Sequence, residues 1–270
     1  VCTLIILNEH HDDWPLIIAA NRDEFYDRPS AGPDLFDTLP LAIIAPKDLE
    51  RGGTWMGATQ TGWFVGLTNQ DDGDHREGME SRGQVVADCL RLSGHKEIAR
   101  YLIGLNPEKY NPFNLVFGRP GAMFLSKVHR GTEVDMEIIP QGITVISNDC
   151  SDARAYQRKV NHALVLAGSV EFDDPLDEVV RKLHLVLSDH SHSYPNPYQS
   201  LCVHDTERGF GTRSSAVVAV SKEGDVRYYH SEGPACQVDT IPLVRELMTL
   251  DLSDLEEPTE LTDDDIEVIG

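Results

Sequence analysis

Positive charge is scarce in this sequence. Lysine and arginine total 23 against 45 acidic residues, a formal net charge of −22 over 270 residues. Such a surface repels phosphate backbones and anionic membranes, so nucleic-acid binding is excluded as a primary role. The scarcity is greatest in residues 251–270, which hold nine acids and no base. That stretch reads as a mobile acidic tail behind a single domain over residues 1–250. Cysteine is sparse as well, with Cys2, Cys89, Cys150, Cys202 and Cys236 widely spaced and no Cys-x-x-Cys pair. The odd number and the spacing exclude a disulfide framework and give no zinc motif; free thiols suit a reducing cytoplasm, the expected location. No apolar run approaches the roughly 18 residues of a membrane span. Residues 3–7 are too short for the apolar region of a signal peptide and lack a basic flank.

What remains suits a large α+β domain. A hydrophobic fraction of 40% supplies a sizeable core. Residues 3–7 and 15–20 read as a hairpin of two apolar strands around the polar turn 8–14, each buried on both faces. Further strands are expected at 41–45, 54–58 and 63–68, the last two turning at Thr61-Gly62. Ser81-Arg82-Gly83-Gln84 has the form of a capping box and opens a helix; a second helix spans about 95–105. Strands at 114–117, 122–128, 134–139 and 143–147 precede helices at 153–167 and 176–188. Strands at 200–204, 215–220 and 226–230 and a short helix near 243–249 complete the order. There is no βαβ alternation and no internal repeat, so the pattern is α+β rather than α/β.

Several residues could carry chemistry. If residue 1 is removed, as after initiation at a GUG codon read as Met, Cys2 gains a free α-amine. Such an amine ordinarily titrates at about 7.7–8.0 and a thiol at about 8.5, so one residue supplies base and nucleophile. The alternative is a small buried hydrophobe. Antiparallel pairing sets Asn21-Arg22-Asp23-Glu24, at the end of the second strand, beside the start of the first. An arginine there favours a thiolate, and an aspartate orients the arginine or the amine; a salt-bridged turn is the plainer reading. Asn69 and Asn148 each follow a strand and offer uncharged donors for an oxyanion, or serve as turn residues. Arg213, in Gly211-Thr212-Arg213-Ser214-Ser215, is a second arginine at a strand start, or a surface residue of a turn.

The motifs Cys2-Thr3-Leu4-Ile5-Ile6, Ala19-Ala20-Asn21-Arg22-Asp23-Glu24-Phe25-Tyr26-Asp27-Arg28-Pro29, Gly52-Gly53-Thr54-Trp55-Met56-Gly57, Gly66-Leu67-Thr68-Asn69, Ser147-Asn148 and Gly211-Thr212-Arg213-Ser214-Ser215 occur in order. Together they resemble the NRDE family, also called the transport and Golgi organisation 2 family. That family is similar to N-terminal-nucleophile (Ntn) hydrolases that begin with cysteine, such as bile salt hydrolase and penicillin V acylase. The resemblance implies a four-layer αββα sandwich and a catalytic set of Cys2, Arg22, Asp23, Asn69, Asn148 and Arg213. Asn21, Glu24 and Trp55 are expected at the substrate. The hydrolases read Arg-Asn-x-Asp where this chain reads Asn-Arg-Asp-Glu, so the arginine and aspartate roles can also fall on Asn21 or Glu24.

Two functions follow. The first is a hydrolase or acyltransferase that cleaves an amide or thioester of a small molecule through a Cys2 acyl-enzyme. The second, also implied by the resemblance, is a binding or trafficking protein on the same fold, with haem or an acyl-CoA-like lipid as cargo. No cofactor and no resident metal are expected. His10-His11-Asp12-Asp13, His190-Ser191-His192 and Asp71-Asp72-Gly73-Asp74 lack the ligand spacing of zinc or EF-hand calcium sites and read as solvated loops. The loop 69–80 is expected to rim an active-site mouth.

Overall fold

The computed structural model describes residues 3–37, 41–70, 73–92, 94–148, 153–191 and 196–248. Cys2, Cys150, Asp71, Asp72, His192 and the stretch 251–270 lie outside the described residues.

The chain opens with the expected hairpin, β1 (Thr3–Asn8) and β2 (Leu16–Phe25), and continues through β3 (Ser30–Asp37), β4 (Ile43–Asp48), β5 (Met56–Thr59) and β6 (Phe64–Asn69). Helices α1 (Arg82–Cys89) and α2 (His95–Ile103) lead into β7 (Phe113–Arg119), β8 (Ala122–Val128), β9 (Asp135–Ile139) and β10 (Gly142–Ser147). Then come α3 (Ala153–Ala167), α4 (Leu176–Leu187), β11 (His204–Asp205), β12 (Phe210–Val220), β13 (Val226–Glu232) and β14 (Leu243–Leu247).

These strands form two antiparallel seven-stranded sheets. One runs β10-β1-β2-β12-β13-β14 with β11 on β12; the other runs β3 to β9 in sequence order. Leu4, Ile6 and Ile18 of the first sheet meet Ile44, Phe64 and Val116 of the second in a core between the sheets. The outer face of the first sheet buries Ile5, Ile17 and Val217 against Ala163 of α3 and Val179 and Leu183 of α4. The outer face of the second buries Val65, Leu115 and Phe117 against Val86 of α1 and Ile98 of α2. The result is the αββα sandwich. It explains why β1 is apolar at every core position, since neither face of a central strand meets water. Each Leu or Ile of β1 contributes about 1.5–3 kcal/mol by burial.

Alternation along β2 sorts its side chains. Leu16, Ile18 and Ala20 face the opposite sheet, while Ile17 and Ala19 face the helices. Gly62 closes the β5–β6 hairpin with φ +76°, a conformation that favours glycine.

Four local expectations are corrected. Residues 243–247 form a strand, because β13 offers an open edge and so short a segment makes a poor helix. Ser81 has an extended N-cap backbone but makes no side-chain cap; Gln84 instead donates to Asp88 Oδ1 at 2.8 Å. The segment 200–204 is strand only at its end, because Leu201 O accepts from the Asn21 side chain and Cys202 N donates to Asp189 O instead of joining a strand ladder. β3 adds a strand that the periodicity does not predict; it carries Pro33 and alternates weakly, as edge strands do.

Candidate active site

The register at the sheet centre sets the site. Thr3 pairs with Asn21 of β2 on one side and Ser147 of β10 on the other. The ends of β2 and β10 therefore flank the start of β1. Thr3 Oγ1 and Ser147 Oγ lie 3.4 Å apart across this junction, and Asn148 follows directly, partly buried.

The alternation of β2 divides the Asn-Arg-Asp-Glu block. Arg22 and Glu24 face a cleft of about 380 Å³ at the mouth of the sandwich, lined also by Trp55, Asn69, Arg28 and Asp48. The segment 75–83 forms its far wall, as expected for the loop after β6. Asn21 and Asp23 face the helical layer. Asn21 is fully buried: its Nδ2 donates to Leu187 O at 2.9 Å and Leu201 O at 2.8 Å, and its Oδ1 accepts from Ser215 Oγ at 2.6 Å. It is a clamp between β2, β12 and the end of α4, not a cleft residue. Asp23 Oδ1 accepts from Thr212 Oγ1 at 2.6 Å, and that hydroxyl in turn accepts from Val203 N at 2.9 Å.

Arg22 is 4% exposed, with its guanidinium 4.2 Å over the Trp55 ring. Its Nη2 is 3.8 Å from Glu24 Oε2, which also lies 3.7 Å from Arg28 Nε, and Arg28 Nη2 bonds Asp48 Oδ2 at 2.6 Å. Burial is the main influence on Arg22 and holds its pKa below the ordinary arginine value against the raising effect of Glu24 and Asp48. Its Nη1 is buried and has no hydrogen-bond partner among the described residues. Asn69 ends β6 at the cleft edge, partly exposed, with no side-chain hydrogen bond among the described residues.

Arg213 does not join the cleft. It occupies the β12 irregularity between Thr212 and Ser214, opposite Arg22 and Asp23, and its Nη1 donates to Tyr26 O. It lines a separate cavity of about 550 Å³ with Tyr26, His204 and Glu232. Of the expected site residues, the cleft thus gathers Arg22, Glu24, Trp55 and Asn69. Arg28 and Asp48 are cleft residues that sequence reasoning missed. Arg28 stood within a quoted motif, but nothing in the sequence paired it with Asp48, twenty residues on.

His10 and His11 are tied into the fold. His11 Nδ1 accepts from Asp13 N and Trp14 N, each at 3.2 Å, so its protonated Nε2 donates to Asp174 O at 2.7 Å. His10 Nε2 lies 2.9 Å from Val170 O.

Over residues 1–232 the sequence matches the family described as Transport and Golgi organisation 2. The Transport and Golgi organization protein 2 homolog of Bos taurus is 28% identical over 241 residues, covering 80% of this chain and 85% of the relative. The Homo sapiens homolog is 27% identical over 239 residues with the same coverage. Among solved structures, a Caenorhabditis elegans ortholog of N-acylethanolamine-hydrolyzing acid amidase matches with TM-score 0.55 at 12% identity, over 80% of this chain and 92% of that one. A variant of conjugated bile acid hydrolase from Clostridium perfringens matches with TM-score 0.58 at 9% identity, over 94% of both chains. At such identities the likeness is one of fold, and the fold is that of the Ntn hydrolases.

Proposed function

The chain belongs to the Transport and Golgi organisation 2 family, and from that premise and its Ntn-hydrolase fold we propose that it is an N-terminal-cysteine hydrolase or acyltransferase. The observation that carries this reading is the buried, unbonded Nη1 of Arg22 in a cleft beside the start of β1. A guanidinium nitrogen withdrawn from water without a partner is costly, and an anion in the cleft offsets that cost. Cys2 is one peptide bond from Thr3, so the Cα atoms of the two are about 3.8 Å apart. The Cys2 thiolate, one residue before β1, is the proposed anion.

In the proposed reaction the α-amine of Cys2 takes the thiol proton and Sγ attacks the carbonyl of an amide or thioester. The proton passes to the leaving group, and water or an acceptor releases the thioester acyl-enzyme. Asn69, and Asn148 beside the strand junction, donate to the developing oxyanion. Arg22 steadies the thiolate. Asp23 orients the amine. The cleft lining is rich in Arg, Asp and Glu. It suits a compact, charged substrate better than the flat apolar face of haem, so the trafficking reading gains no support from this cleft.

The test has two parts. Intact mass should show a mature chain that begins at Cys2, and iodoacetamide at neutral pH should label Cys2 ahead of the other thiols; burial pushes the Cys89 and Cys202 thiols up. A screen of N-acyl amino acids, penicillins and acyl-CoAs should give turnover that Cys2→Ala abolishes. A blocked Cys2 amine in protein from its native cell would overturn the catalytic reading.

A further inference from the structure

Metal-ligating side chains scattered through the last third of the sequence come together in the fold, three as one group and a fourth against two of them. His190, His204 and Cys236 each present a ligand atom within 4.8 Å of the others. Cys202, outside that group of three, contacts two of its members: its Sγ lies 3.4 Å from His204 Nε2 and 3.5 Å from Cys236 Sγ, and His204 Nε2 lies 3.2 Å from Cys236 Sγ. Tetrahedral ligands at about 2.3 Å for sulfur and about 2.0 Å for nitrogen stand roughly 3.3–3.8 Å apart. The three measured edges lie inside or just short of that range.

From this geometry we propose that Cys202, His204, Cys236 and His190 form a binding site for a zinc-class divalent ion. Two thiolates and two imidazoles are the donor set that selects such a metal over magnesium or calcium. Each thiol releases its proton as its sulfur–metal bond forms, and the two thiolates balance the charge of the ion.

The donors are held in place by the surrounding backbone. His190 Nδ1 lies 3.0 Å from Ser188 O, which fixes the tautomer and leaves Nε2 for a metal. Cys202 N donates to Asp189 O at 2.8 Å. Next to Cys236, Ala235 N donates to Ser215 Oγ at 3.2 Å and Ala235 O meets His184 Nε2 at 2.9 Å. The site joins the segment after α4, β11 and the turn Ala235–Gln237, and Thr212 links that region to Asp23. It is separate from the cleft and does not depend on Cys2.

Cobalt(II) titration of the full chain should bind one equivalent, with thiolate-to-cobalt absorption and the visible bands of a tetrahedral ion, and zinc should displace it. Cys2→Ala should bind identically. Cys236→Ala should lose about half of the thiolate band, because Cys202 remains, and should bind more weakly. His190→Ala removes an exposed side chain and should leave the fold unchanged, as circular dichroism would report. It should weaken binding by at least the roughly 10- to 100-fold that outer-shell changes cost. Absence of cobalt bands, bands and affinity unchanged in both ligand variants, or a Cys202–Cys236 disulfide in protein isolated under reducing conditions overturns the site.

Discussion

The Arg22 guanidinium lies 4.2 Å over the Trp55 ring, which joins the end of β2 to the residue just before β5 of the opposite sheet, across the mouth of the sandwich. The ring face attracts the cation by about 1–2 kcal/mol when desolvated, and the guanidinium held there has a buried Nη1 with no hydrogen-bond partner among the described residues. Stability alone does not call for that arrangement. Replacing Arg22 by methionine keeps most of the volume, removes a buried charge and leaves Glu24 with Arg28 as its partner. The variant should be as stable as the parent or more so in urea unfolding. Its Cys2 should react with iodoacetamide about tenfold more slowly at neutral pH, the equivalent of one pKa unit. Unchanged reactivity would detach Arg22 from the proposed thiolate.

Much of this was legible in the sequence. The apolar runs of β1 and β2 disclosed strands buried on both faces, and strand pairing alone put the Asn-Arg-Asp-Glu block beside the chain start. The split within that block was not resolved: alternation turns Arg22 and Glu24 one way and Asn21 and Asp23 the other, but which face is the cleft depends on the second sheet. Sequence reasoning groups Arg213 with the cleft, but it sits at a register irregularity in β12 and lines a separate cavity, and such an irregularity leaves no periodic trace. The donors at 190, 202, 204 and 236 have no motif spacing, since tertiary packing brings them together.

Asn21 is expected to matter for stability. Its amide satisfies the carbonyls of Leu187 and Leu201 and the hydroxyl of Ser215, all away from solvent. Asn21→Ala removes the donor to both carbonyls and the acceptor of the Ser215 hydroxyl proton, and should cost about 3 kcal/mol or more, read as a lower urea midpoint. Asn21→Asp sets a carboxylate against two carbonyl oxygens and should cost more still. A loss under about 1 kcal/mol, by the same scale, would mean that water replaces the amide.

Gly53 and Gly83 bring two backbone segments into contact at the cleft wall. A Cβ on Gly53 would lie 2.4 Å from the Gly83 carbonyl carbon, and Thr54 N donates to Gly83 O at 3.1 Å. Neither segment is a flexible side chain that can swing aside. Gly53→Ala should therefore destabilise by about 1–3 kcal/mol and raise protease sensitivity in residues 75–83. Gly94→Ala is the control: its φ of 171° suits any residue and open space surrounds it, so it should cost only the difference between glycine and alanine at a helix N-cap, about 0.5–1 kcal/mol.

Asp48 predicts how stability responds to acid. Burial raises its pKa, but the hydrogen bond and charge of Arg28 and the backbone N–H groups of Glu50 and Arg51 outweigh this, so the folded value lies below the ordinary one. A carboxylate with a lowered folded pKa stabilises the native state fully above its unfolded pKa of about 3.9 and loses that contribution as the pH falls through the folded value. Asp48→Asn keeps the shape but not the charge. It should be less stable than the parent at neutral pH, and the gap should close on acidification below about pH 4, the range set by the unfolded pKa. Urea midpoints of parent and variant, followed from neutral pH downward, should converge. Curves that stay parallel would show that the Arg28–Asp48 pair contributes nothing that depends on its charge.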